Sequence, residues 1–128
     1  MTTPRPSIPW MVLAFAAGLL VAGAPGQTAP RMGTSVLLKT TTTQIPRTVA
    51  LQVNDDRWEP GAETGRHQHP GPTLIYVLEG ELSESTLEGT STLKAGQAVW
   101  RPARHEHNVR NAGARPARAL AIHLDPAQ

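Results

Sequence analysis

The sequence predicts an all-β domain, a single small antiparallel β-barrel or jelly roll. Three observations carry that expectation. Short apolar or alternating runs recur along residues 35–124, each closed within a few positions by a turn signal. Beyond residue 27 no stretch shows convincing helical periodicity. The pairs Pro60-Gly61, Glu79-Gly80, Glu88-Gly89 and Ala95-Gly96 punctuate the runs as turns do in sandwiches and barrels.

Residues 35–43 are rich in β-branched side chains and open the series. Val49, Leu51 and Val53 alternate with polar partners, the pattern of a strand with one buried face. Residues 74–78 (LIYVL) form a continuous apolar run, ended by Glu79-Gly80. Residues 82–87 and 90–93 flank the Glu88-Gly89 turn, and residues 98–100 follow Ala95-Gly96. Residues 105–109 alternate, residues 111–113 turn with Asn111 bonding backbone, and residues 117–124 close the domain. Eight or more short strands are expected. Trp58 and Trp100 are assigned to the core or to a contact between two copies, and Tyr76 to packing.

A chain of 128 residues has room for one domain. Residues 11–24 are an unbroken run of fourteen apolar and small residues, preceded by a Pro-rich stretch whose one charge is Arg5. That run is short for a bilayer span, and with its small-residue end it reads as a signal peptide over residues 1–26, cut before Gln27, with an uncleaved membrane anchor as the alternative. A linker over 27–34 and the barrel over 35–125 complete the expected organisation. The protein is therefore expected to be periplasmic or secreted, without stable membrane association after cleavage. The absence of cysteine excludes disulfides, thiolate metal ligands, a cysteine nucleophile and a lipid anchor. Arg101, Arg104, Arg110, Arg115 and Arg118 lie close in sequence, but Glu79, Glu81, Glu84 and Glu88 offset them and no aromatic residues are interleaved. They read as a solvated face or the rim of an anion-binding mouth, and nucleic acid is not an expected partner.

His67 and His69 are the sharpest chemical signal. Side chains two apart on a strand share a face, and Pro70-Gly71-Pro72 ends regular pairing just beyond them. Two inward imidazoles without partners are costly to bury. A metal ion removes that cost by accepting a lone pair from each ring. His105 and His107 share a parity in a second segment and supply the third ligand from there. His123 alternates against Ile122 and Leu124, so it too points inward, either as a fourth nitrogen or as a packed core histidine. The residues leave open whether His105 or His123 completes a closed, four-coordinate site.

Two segments of the chain resemble the paired motifs of the cupin superfamily. Gly61, His67, His69 and Gly80 match the first motif in register, with Thr73 where the family has a glutamate. Gly96, Pro102, His107 and Asn111 match the second, with Arg104 where the family has a glycine. The resemblance covers about residues 48–125 and resembles a small single-domain cupin with a short spacer between motifs. It implies a barrel of the double-stranded β-helix type holding one divalent transition metal (iron, manganese, nickel, copper or zinc) on His67, His69 and His107. Some cupin oxygenases are similar in using three histidines without the carboxylate. Three neutral ligands leave the ion its full double charge, which favours anionic or chelating molecules at its open positions.

The expected function is metal-dependent chemistry on a small anionic or enolisable molecule, dioxygenase-like as the first expectation. Thr73 and Arg104 are then expected to orient the substrate and His105 to act as a base. A non-catalytic small-ligand-binding or sensing barrel, and a metal-dependent isomerase or lyase, are the alternatives. The uncovered apolar strand faces suit a homodimer.

Overall fold

The alternating and apolar runs become seven antiparallel strands among the residues that the computed structural model describes, 31–128. The expected signal peptide lies outside the described residues, and residues 34–128 make up one structural unit. In chain order the strands are β1 (Val49–Trp58), β2 (Thr73–Glu79), β3 (Glu81–Ser85), β4 (Thr90–Lys94), β5 (Ala98–Arg101), β6 (Asn108–Arg110) and β7 (Ala117–Pro126). No helix of the described residues is long and apolar enough to cross a membrane.

The strands form two sheets. One has the order β1-β7-β2-β5 and the other β4-β3-β6. Residues 61–67 extend the second sheet beyond β6 without forming a regular strand. Gly61 N–H donates to Asn111 O at 2.8 Å, Thr64 N–H to Val109 O at 2.9 Å, and His67 and His107 exchange both backbone bonds at 2.9 Å. The two sheets face each other in the manner of a jelly roll, as the sequence pattern predicts.

Alternation decides what fills the space between them. Along β2, Thr73, Ile75 and Val77 are buried, and along β7, Ala117, Ala119, Ala121 and His123 are buried. Leu82 and Glu84 are the buried pair of β3. Trp58, Ile75, Val77, Leu82, Leu93, Val109, Ala117 and Ala119 make one apolar cluster, part of which lines the cavity. Each fully buried Val or Leu there contributes about 1.5–3 kcal/mol relative to exposure. Gly80 makes the β2–β3 turn with φ +70, and a Cβ there would stand 2.9 Å from the Pro116 carbonyl, so both the conformation and the close approach require glycine.

Several expectations change. Seven strands stand where eight or more were expected. The alternation along β1 is inverted: Leu51 and Val53 retain 65% and 57% of their accessible surface, while Asn54 and Asp56 of the opposite parity line the cavity. Residues 35–43 form no strand: they are largely exposed, and Val36 and Leu37 retain 77% and 53% of their accessible surface. Three consecutive apolar residues, Lys39 and then four threonines have no alternation, so neither face of a strand there is favoured. Residues 105–109 do not form one regular strand, because β6 begins at Asn108 and His105 closes a turn, its N–H donating to Pro102 O at 3.3 Å. Residues 82–87 stop pairing at Ser85, where Thr86 N–H donates to Gly89 O and the hairpin turns.

Candidate metal centre

His67 and His69 stand on the irregular segment that leads from the β1 turn into β2. The backbone exchange between His67 and His107 lays this segment directly beside the start of β6 and brings the two distant motifs together. The three ring centroids are then 4.6 Å (His67–His107), 4.9 Å (His67–His69) and 5.9 Å (His69–His107) apart. One ligand nitrogen from each ring falls within 4.8 Å of the other two.

The partners of the outer nitrogens orient the inner ones. His67 Nδ1 lies 2.9 Å from Gly65 O, and a carbonyl only accepts, so Nδ1 carries the proton and Nε2 is bare. His107 Nδ1 lies 2.8 Å from Glu84 Oε1, so by the same reasoning its Nε2 is bare. That nitrogen is buried and has no hydrogen-bond partner among the described residues. An orphaned buried lone pair costs free energy unless something accepts it, and a metal ion does so.

One pair of the donors has the spacing of neighbouring ligands on an ion. His67 Nε2 and His69 Nε2 are 3.2 Å apart. Neighbouring nitrogens on an ion with bonds of about 2.0–2.1 Å stand about 2.9–3.4 Å apart at tetrahedral to right-angled geometry. Burial, followed by the nearby His123, His67 and His107 rings, lowers the His69 pKa to about 4. The ring is thus neutral, the form that binds metal, over the ordinary pH range.

Glu84 was not among the residues singled out from the sequence. It reads there as one of several surface acids, yet it is fully buried. Its oxygens accept from His107 Nδ1 at 2.8 Å and from Arg101 Nε at 2.8 and 2.9 Å, with Arg101 Nη2 also bonded to Oε2. Burial alone would raise its pKa; the bonds from His107 and Arg101 and the guanidinium charge reverse this and hold it at about 2. This chain of carboxylate, imidazole and bare nitrogen is the arrangement that fixes ring orientation and raises ligand basicity in metal sites. Arg101 therefore belongs to the support of the site and not to a rim of solvated arginines. The available signal was parity, since Glu84 lies two residues from Leu82 on the same face of β3.

Thr73 is 2% exposed and lines the cavity, but its hydroxyl is 3.1 Å from His123 Nδ1. His123 Nε2 lies 3.4 Å from Asn54 Nδ2, and the His123 ring packs against His69 with centroids 4.4 Å apart. His123 is thus a buried histidine with a neighbour for each nitrogen, on the cavity wall beside His69 and outside the group of three converging rings. Arg104 and His105 do not line the cavity. The Arg104 side chain is exposed, and it is the backbone that serves the site: Arg104 N–H donates to His69 O at 2.8 Å while the residue adopts φ +60. The glycine-type turn of the motif is retained with an arginine in it. His105 turns toward Glu84 and His107, away from the cavity, because its turn breaks the parity with His107.

The cavity itself measures about 370 Å³. Its polar wall carries His67, His69, His107, Thr73, His123, Asn54 and Asp56, and Ile75, Leu82, Val109, Ala119 and Ala121 form the apolar remainder. Asn111 lies outside it and holds a turn, donating to Trp58 O at 3.0 Å and Arg115 O at 2.8 Å and accepting from Gly113 N–H at 3.0 Å.

A two-sheet antiparallel barrel here gathers three histidines from two separate segments on one cavity wall, where they could hold a metal ion. The chain belongs to the cupin family: the family model for the cupin domain matches residues 56–123. A β-alanine degradation protein, BauB, of Pseudomonas aeruginosa is 48% identical over 65 residues, which cover 48% of this chain and 68% of that protein. A solved cupin domain from Bordetella pertussis is 32% identical with a TM-score of 0.52, over 61% of this chain and 90% of that one. A cupin-superfamily structure from Silicibacter pomeroyi, described as a sugar phosphate isomerase, is 26% identical with a TM-score of 0.53, over 58% of this chain and half (50%) of that one.

Proposed function

We propose that this chain is a metal-dependent cupin acting on a small anionic or enolisable molecule, with dioxygenase chemistry as the first reading. The observation that carries the proposal is the bare, buried Nε2 of His107, aimed beside His67 and His69 and fixed by the bond from Nδ1 to Glu84. Bound by these three rings, iron, manganese or copper would supply Lewis acidity and one-electron redox capacity, and nickel or zinc chiefly Lewis acidity.

The residues around the ligands have separate tasks. Thr73 places a neutral hydroxyl where the family motif has a carboxylate, so the site lacks a negative ligand and favours a substrate that brings one. Thr73 and Asn54 face the cavity as hydrogen-bonding groups that orient such a molecule. Ile75, Ala119 and Ala121 exclude water from the opposite wall. The relationship to a protein of β-alanine degradation supports a small carboxylate as substrate. Residues 11–24 support export to the periplasm or medium, and Leu51 and Val53, exposed on edge strand β1, support a homodimer.

The Silicibacter pomeroyi neighbour favours a second reading, a metal-dependent isomerase or lyase without redox. Oxygen uptake separates the two. Full-length protein loaded anaerobically with ferrous iron is mixed with oxygen and a three-carbon β-oxo acid or β-alanine. Uptake above the protein-free control, lost in His69→Ala, is the expected result. Substrate conversion by zinc- or nickel-loaded protein without oxygen uptake would replace the first reading by the second.

A further inference from the structure

Strand β1 splits two adjacent acids between two environments. Asp55 is exposed, and Arg118 binds both its oxygens at 2.7 Å. Asp56 has the opposite parity, shared with Asn54 and Trp58, and lines the cavity half-buried. Among the described residues no ion pair or hydrogen bond reaches its carboxylate. Burial pushes its pKa up, the His123 ring offsets this in part, and Asp55 adds to it. Arg57 reaches the cavity rim, but its guanidinium is 3.8 Å from Asp55 and makes no ion pair with Asp56.

Half-buried, the Asp56 carboxylate meets water in the cavity where no side chain of the described residues pairs with it, so a cation there would gain a charge-assisted bond. The same cavity holds the bare Nε2 of His107, a residue only 2% exposed. The cavity is therefore bipolar. Its three histidines could carry a cation that attracts anions, and Asp56 is an acid that the one arginine lining the cavity, Arg57, does not pair.

We infer that the cavity takes a short zwitterionic amino acid, its carboxylate toward the three histidines and its ammonium on Asp56. This rests on the metal reading of the site and adds the substrate class to it. The spacing limits the length of the ligand. Asn54 touches His123, which packs on His69, and Asp56 is the next inward residue of β1, about 7 Å further along the strand. That separation suits an amino acid whose two charges stand on the ends of a two- or three-carbon chain, and a longer one would have to fold back. The charge arrangement also selects the amine over its deaminated product, because an oxo acid brings nothing to Asp56.

Cobalt(II) loaded on the full-length chain gives a visible spectrum that reports ligand exchange at the metal. Titration with β-alanine and with propionate, which lacks the ammonium, separates the two ends. β-Alanine is expected to bind about tenfold more tightly than propionate, the effect of one charge-assisted hydrogen bond. Asp56→Asn, with folding checked by circular dichroism, should bring the two ligands within about twofold and leave propionate nearly unchanged. Asp55→Asn should preserve the discrimination, which separates a local contact from a general charge effect. Equal binding of the two ligands to the parent protein, or discrimination that survives Asp56→Asn, would overturn the inference while leaving the metal site standing. A cobalt spectrum that answers to neither ligand would overturn the inference alone, and failure of the chain to take up cobalt would overturn the metal reading and the inference with it.

Discussion

His107 and Glu84 form a buried couple: Nδ1 of the imidazole lies 2.8 Å from Oε1 of a carboxylate that has no solvent exposure. The couple joins β3 to the start of β6 across 23 residues of sequence and sets which nitrogen of His107 faces the cavity. Arg101, on β5, holds the other side of the same carboxylate. One glutamate thus ties both sheets to the orientation of one candidate ligand.

Replacing Glu84 should damage affinity and stability together. Glu84→Gln keeps the shape but loses the charge that raises the basicity of His107, and metal affinity should fall about 10–100-fold by competition titration. Glu84→Ala also strands Arg101, and a urea unfolding series should show a loss of about 3 kcal/mol. An unchanged affinity in Glu84→Gln would mean that His107 does not bind through Nε2.

Acid should weaken the metal-free fold in two steps. The His69 pKa is depressed from 6.5 to about 4, so the folded state resists a proton that the unfolded chain accepts; stability is full above pH 6.5 and falls toward pH 4. The Glu84 pKa is depressed from 4.5 to about 2, so its contribution is full above pH 4.5 and is lost toward pH 2. Urea midpoints at pH 7.5, 5.5 and 3.5 should therefore decrease in that order, with the loss between 7.5 and 5.5 removed by His69→Gln.

Much of this site was legible in the residues, and the limits are physical. The convergence of His67, His69 and His107 follows from parity and motif register, and the turn at Asn111 from its turn-forming neighbours. Glu84 was hidden because a glutamate in a polar hairpin reads as solvent-facing, and only its pairing with distant Arg101 and His107 makes burial tolerable. Asp56 was hidden in the run Asn54-Asp55-Asp56-Arg57, whose composition masks the alternation of the strand. The parity argument for His105 failed because one turn residue shifts the face on which the next side chain appears. Residues 35–43 have strand-like composition without alternation, and composition alone did not produce a strand.

Arg104 carries a local conflict that can be relieved. Its φ of +60 costs a non-glycine residue about 1 kcal/mol, and its side chain is exposed. Arg104→Gly should raise the unfolding temperature by about 4–8 °C without changing metal content. A decrease in both would show that the guanidinium has a role at the mouth.

Gly71 should be intolerant of change. An added Cβ would stand 2.1 Å from the Leu124 carbonyl oxygen, and its N–H donates to Asp125 at 2.8 Å. Gly71→Ala must push the strap between His69 and Thr73 away from β7, costing about 3 kcal/mol in chemical denaturation and lowering metal retention. Pro70→Ala, whose side chain is exposed, should be far milder.

The central claim is that His67, His69 and His107 hold one metal ion. Elemental analysis of the purified full-length chain, loaded and then desalted, measures it directly. The account predicts about one transition-metal ion per chain, reduced to background in His107→Ala and in His69→Ala, while His123→Gln and His105→Gln keep it. Equal metal content in the parent, His69→Ala and His107→Ala, or no metal in any of them, would contradict it.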